Sequence, residues 1–256
     1  MTRLFPDRLL ARTGLAVFMA FALIAAAVMP ARPAERVDLL LVLASDVSRS
    51  VDYAKFQLQR EGYAAAITDD RVLNAIRSGP LQRIAVAFVE WSGAAAQKVV
   101  IDWTLIDGKA SAQKFADQLI ELPRAFADRT AIGAGIDFAL AQLDRAPFES
   151  SRRTIDVSGD GTSNSGTPVD EARDRALAKG VTINGLVILS DRPLAWNPEH
   201  TNPPGGLDKY YRDHVTGGPG AFVMVAENFG SFRQAIIGKL IAEIAMLDTG
   251  RITVRD

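Results

Sequence analysis

Residues 37–50 read VDLLLVLASDVSRS, an apolar run that gives way at once to one carboxylate and two hydroxyls at alternate positions, Asp46, Ser48 and Ser50. Continuous apolar character without polar alternation suits a strand covered on both faces of a parallel sheet. The oxygen side chains then fall where the chain leaves that sheet. Three such oxygens at one strand end are a candidate ligand set for a hard cation, provided that distant residues complete it.

Working outward, five further runs have the same character: RIAVAFVEW (83–91), KVVIDWT (98–104), RTIDVSG (153–159), VTINGLVIL (181–189) and AFVMVAE (221–227). Between them, Ile132, Ile136, Leu140 and Leu143 recur at helical spacing, as do Phe229, Phe232, Ile236, Leu240, Ile244 and Leu247. The segment from Val51 to about Arg77 reads as one long helix carrying Tyr53, Phe56, Tyr63 and Ile67. TPVDEARDRALAKG (167–180) reads as a helix with Thr167 as cap, Pro168 at the first helical position and Gly180 at its end. This alternation predicts an α/β fold, a doubly wound and mostly parallel sheet with helices on both faces. The short SGAAAQ (92–97) between the second and third runs predicts a hairpin, hence one antiparallel edge strand.

In such sheets ligands bind outside the carboxyl ends of the strands, near the point where strand order reverses. Three loops lie at that edge: SDVSRS after the first run, ADRTAIGAG (127–135), and SGDGTSNSG (158–166) after the fourth. Together they supply Asp46, Ser48, Ser50, Thr130 and Asp160, all oxygen donors. Hydroxyls with two carboxylates suit Mg2+, or Mn2+ or Ca2+, whereas Zn2+ would favour His or Cys. Gly133 and Gly135 allow the helix after Thr130 to pack closely.

On these residues the chain resembles the von Willebrand factor A (vWA) family, whose metal-ion-dependent adhesion site (MIDAS) is written Asp-x-Ser-x-Ser, a distant Thr, and a distant Asp followed by Gly. DVSRS (46–50), Thr130 and the Asp160–Gly161 pair match in that order. DLLLVLASDVSRSVD, IDVSGDGTSNSG and YYRDHVTGGPGAFVMVAENF resemble an exported bacterial branch of the family. The resemblance implies a vWA/Rossmann-like fold in which Ser48 and Ser50 touch the metal, Thr130 does so directly or through water, and Asp46 and Asp160 act mostly through water. It also implies an open sixth position, which Asp or Glu of a partner protein completes. One position departs from the pattern: Gly159 stands where many relatives carry Thr, so Ser158 or Thr162 is expected to supply the missing hydroxyl.

Residues 1–34 have a basic start (Arg3, Arg8, Arg12), an uncharged apolar stretch from Thr13 to Met29 and small residues near Ala31 and Ala34, the layout of a secretory signal peptide. Cleavage is expected, with a retained anchor as the alternative reading, and leaves a vWA-like domain over 35–256 with no stable membrane span. A Sec-type route to the periplasm or exterior follows, since there is no twin arginine and no cysteine for a lipid anchor. The chain lacks disulfide and thiol chemistry altogether. Without residues 1–34, which hold four Arg and one Asp, 25 basic residues face 29 acidic ones and the net charge is −4. That balance argues against nucleic acid as a partner.

Asp38 and Asp156 fall inside strands and are expected to pair with Arg36, Arg83, Arg152 or Arg153. Glu90 is expected to be a solvated strand end, with a hydrogen-bond acceptor supporting the site as the alternative reading. A long insertion at about 190–220, with five Pro, five Gly, Trp196, Tyr210 and Tyr211, reads either as a partner-recognition loop or as a loop packed by its own aromatics. His200 and His214 are not expected to be ligands. The functional expectation is an exported binding protein whose divalent cation engages an acidic residue of a protein partner, and no enzyme. The alternative is a metal-dependent hydrolase of phosphoesterase type in the cell envelope. Against it stand the absence of a P-loop lysine, of an Asp-x-Asp pair and of a histidine placed to activate serine.

Overall fold

All seven residues of the strand Leu40–Asp46 are buried, because this strand lies in the middle of the sheet with a neighbour on each side. The computed structural model describes residues 34–190, 194–195 and 197–245. The strands in chain order are β1 (Glu35–Arg36), β2 (Leu40–Asp46), β3 (Ile84–Trp91), β4 (Gln97–Ile106), β5 (Phe148–Glu149), β6 (Arg153–Gly159), β7 (Thr182–Ile188) and β8 (Val223–Ala226). The helices are α1 (Tyr53–Ile67), α2 (Asp70–Ser78), α3 (Lys109–Glu121), α4 (Ile132–Asp144), α5 (Val169–Ala178), α6 (Pro198–Thr201), α7 (Leu207–Tyr210) and α8 (Phe232–Ala245). A π-helical turn, Tyr211–Val215, continues α7. Among the described residues no helix is long and apolar enough to cross a membrane. The signal peptide read in residues 1–34 lies almost wholly outside the described residues, as does Trp196.

The main sheet has the order β4-β3-β2-β6-β7-β8, while β1 and β5 form a separate parallel pair. Every pairing in the main sheet is parallel except β3 with β4, the antiparallel edge. The fold is therefore the expected α/β doubly wound sheet. From β2 the chain winds outward through β3 and β4, then returns to β6 on the other side. Strand order thus reverses between β2 and β6, the place where sheets of this kind bind ligands at the strands' carboxyl ends.

Alternate side chains of β2 feed the two halves of the core. Leu41 and Leu43, with Leu39 just before the strand, pack with residues of α1, α2, α3 and α8, whereas Leu40, Val42 and Ala44 pack with α4, α5 and the buried residues of the insertion. Two glycines set how close α4 can come. A Cβ on Gly135 would stand 2.8 Å from the Trp91 ring, and one on Gly133 would run into the Thr167 carbonyl.

Four details differ from expectation. The long helix after β2 is broken: α1 ends at Ile67, the Thr68 hydroxyl folds back on the Ala64 carbonyl at 2.9 Å, and Asp69 caps α2 through the Arg71 N–H. Helix α5 begins at Val169, one residue beyond Pro168. Asp38 is satisfied by the backbone N–H groups of Leu81 and Arg83, and Asp156 pairs with the buried ammonium of Lys239 at 2.7 Å. Glu90 is no solvated strand end. It is buried and takes the Arg60 guanidinium at 2.6 Å and the Ala125 N–H at 2.7 Å.

Candidate metal centre at the strand-order reversal

Strands β2 and β6 run side by side in register from Leu40 opposite Arg153 to Ser45 opposite Ser158. Their last residues, Asp46 of β2 and Gly159 of β6, with Asp160 directly after it, therefore lie at the same edge of the sheet. Asp46 at once closes a tight turn, its Oδ1 accepting the Ser48 N–H at 2.7 Å. That turn brings Ser48 Oγ to 3.1 Å from Ser50 Oγ, and Ser50 donates to Asp160 Oδ1 at 2.5 Å. Four of the oxygen residues read from the sequence thus form one continuous cluster. All four are buried.

Thr130 is held by the loop that follows Asp160. Its N–H donates to Asn164 Oδ1 at 3.0 Å, and its carbonyl accepts the N–H groups of Asn164 and Ser165 at 2.8 and 3.2 Å. Its hydroxyl faces His200 rather than hydrogen-bonding to the other four oxygens: Thr130 Oγ1 lies 3.3 Å from His200 Nε2. The five donors come from the expected three loops, and the histidine joins them from the insertion.

Two carboxylates buried this deep carry little compensating charge. Lys55 approaches Asp160 Oδ2 at 3.4 Å but spends its shorter bond, 2.8 Å, on the Ser50 carbonyl. Arg124 donates to the carbonyls of Val47 and Ser48 at 2.6 and 2.9 Å, which pins the loop. Among the described residues, the buried Asp46 Oδ2 has no hydrogen-bond partner. Burial, and next the negative charge of Asp160, push the Asp46 carboxyl up to about 8. Hydroxyl and carboxylate oxygens are donors of the kind that suit a hard divalent ion. Among the described residues no group of three or more His, Cys, Asp or Glu is placed to hold a metal, so any centre here depends on the hydroxyls.

A pH effect follows. Asp46 in the folded, metal-free chain binds its proton more tightly than the ordinary 3.8 of an unfolded chain. The folded state then holds the extra proton between about pH 4 and pH 8, so this group's contribution to stability falls as pH rises through that window. A bound cation ionises the carboxylate and removes the slope. In chelator the melting temperature should drop between pH 5 and pH 8, and Mg2+ should raise it more at pH 8 than at pH 5. An equal Mg2+ effect at both values would contradict this.

The insertion delivers two groups that sequence reasoning missed. A Cβ on Gly159 would stand 2.5 Å from the Tyr211 hydroxyl and 3.2 Å from Asp46 Oδ2. A buried phenol therefore fills the space over the glycine, next to the unpartnered carboxylate oxygen. Neither expected substitute takes that place, because Ser158 accepts from Tyr63 at 2.9 Å and Thr162 faces His200 Nδ1 at 3.4 Å. The insertion thus packs onto the sheet through Leu207, Tyr211 and Val215. The only signal for Tyr211 and His200 was the aromatic content of an unusually long connection.

This fold is that of the vWA-like proteins. Solved structures of that fold match the chain: proximal thread matrix protein 1 from the mussel byssus (15% identity, TM-score 0.55, covering 82% of this chain and 48% of that one), and the pilus adhesin SpaC from Lactobacillus rhamnosus GG (12%, 0.57, 81% and 31%). The minor pilin PilB from Streptococcus sanguinis matches likewise (12%, 0.58, 84% and 64%). The chain spans less than two thirds of the length of each. A further structure of the mussel protein is described with a zinc-occupied MIDAS motif. No curated protein matches the sequence. The chain belongs to the family described as "Protein of unknown function (DUF1194)", whose profile matches residues 36–248.

Proposed function

We propose that this chain is an exported, non-enzymatic binding protein that holds a divalent cation, Mg2+ or a similar ion, with Asp46, Ser48, Ser50, Thr130 and Asp160, and engages through it an Asp or Glu of a protein partner. The observation that carries this is the buried, unpartnered Oδ2 of Asp46 in a cluster with two serine hydroxyls and a second carboxylate. When bound, the ion supplies electrostatic attraction for an outside carboxylate. The chain's own residues set its strength: the serine and threonine hydroxyls are neutral donors, so only Asp46 and Asp160 offset the ionic charge, and Arg124 and Lys55 hold the loop that presents the serines. Adhesins and a thread protein among the structures of like fold are consistent with a binding role. Export rests on residues 1–34, and an intact Met1 in the mature protein would refute cleavage.

The test is a pull-down from cell-envelope extract with the full mature chain, in Mg2+ or in chelator. A partner retained in Mg2+, released by chelator and lost with Ser48→Ala is the expected result. Metal-dependent hydrolysis of simple phosphoesters that Asp46→Ala abolishes would replace this reading by the hydrolase one.

A further inference from the structure

We infer that His200 is an additional ligand of the proposed centre, an imidazole supplied from within the chain that occupies the open position until a partner carboxylate displaces it. The inference rests on the metal-binding reading above and deepens it. With His200 in place the centre carries a nitrogen donor and favours a borderline ion such as Zn2+ over Mg2+.

Placement carries the argument. His200 is buried in α6, on an insertion whose neighbouring residues are mostly exposed. The Thr162 N–H donates to its carbonyl at 2.8 Å, and its ring lies against the backbone of Gly161, where any Cβ would strike Nε2. Glycine next to Asp160 therefore makes room for this imidazole. Two ligands at about 2.1 Å from one ion, roughly at right angles, stand about 3 Å apart. Thr130 Oγ1 to His200 Nε2 at 3.3 Å and Ser48 Oγ to Ser50 Oγ at 3.1 Å have that separation. The other ring nitrogen faces the Thr162 hydroxyl at 3.4 Å, as a metal-bound histidine's second nitrogen usually faces an acceptor. A ring with its proton on Nδ1 leaves Nε2 bare toward Thr130.

The chain has only two histidines, so ring 15N NMR reads the proposal directly, with His214→Ala assigning the signals. Zn2+ added to the mature protein should move the His200 Nε2 resonance to a metal-bound position. By calorimetry His200→Ala should weaken Zn2+ by about tenfold or more and Mg2+ by far less. An unmoved His200 nitrogen, with Zn2+ binding that Asp46→Ala plus Ser48→Ala still abolishes, would leave the centre standing and overturn the role of His200. Equal losses of Zn2+ and Mg2+ in His200→Ala would also overturn it, since mere packing of α6 would produce them. If the double variant binds both ions like the wild type, the proposed centre itself fails.

Discussion

Lys239→Met is expected to lower the unfolding free energy by about 3–5 kcal/mol, the range for breaking a buried ion pair by removing one partner. Lys239 lies on α8, wholly buried, with Nζ 2.7 Å from Asp156 Oδ1 and 2.5 Å from Glu243 Oε1, while Asn184 donates to the same Glu243 oxygen at 2.8 Å. Burial already pushes Asp156 up to about 7 against the pull of the ammonium. Without Lys239, two carboxylates would share an apolar space, and at least one must take up a proton or unfold the region around it. Chemical denaturation of both proteins in the same buffer measures the loss. Lys239→Met combined with Asp156→Val should recover part of it, because the remaining pocket loses one carboxylate and regains apolar contact. A loss below about 1 kcal/mol, the value of a surface pair, would contradict the arrangement. The network also fixes α8 to β6, the strand that delivers Asp160.

The second large effect concerns the cation. For the wild type at a free Mg2+ concentration of 100 times Kd, binding to the folded state alone adds about 2.7 kcal/mol. In a domain of this size that corresponds to a rise in melting temperature of roughly 5–10 °C. Asp46→Ala with Ser48→Ala should abolish the rise, since it removes the turn-closing carboxylate and a hydroxyl that contacts Ser50. Calorimetric titration of both proteins is the matching check. A wild-type melting temperature indifferent to Mg2+, Mn2+ and chelator would refute metal binding, and a double variant that still responds would move the site elsewhere.

The strands were legible because a strand buried on both faces advertises itself in a few adjacent letters, as LLVLASD does. The edge hairpin was legible from the shortness of its connection. Helix α3 went unread. Its buried residues Ala112, Phe115, Ala116 and Leu119 have helical spacing, yet two are alanines and contribute little contrast to an apolar pattern. The break at Thr68–Asp69 was written in the cap residue Asp69, but apolar positions continue on either side and suggest one helix. At the site, Asp46, Ser48, Ser50 and Asp160 were readable as residue types at strand ends, since a doubly wound sheet brings those ends together, and Thr130 as a hydroxyl just before a helix. Partners decided by packing across distant segments were not readable. Nothing local to His200 or Tyr211 shows that the insertion folds back over Gly161 and Gly159. Arg60 meets Glu90, and Lys239 meets Asp156, only once helices lie on the sheet.

The loops after β2 and β6 and the one before α4 are proposed to cage one divalent ion. Anomalous diffraction from crystals of the mature chain grown with Mn2+ tests it most directly. One strong peak is expected within bonding distance of Ser48 Oγ and Ser50 Oγ, with Thr130, Asp46 and Asp160 directly or through water around it. An ordered site with no peak there, or a peak bound by other residues, would contradict it.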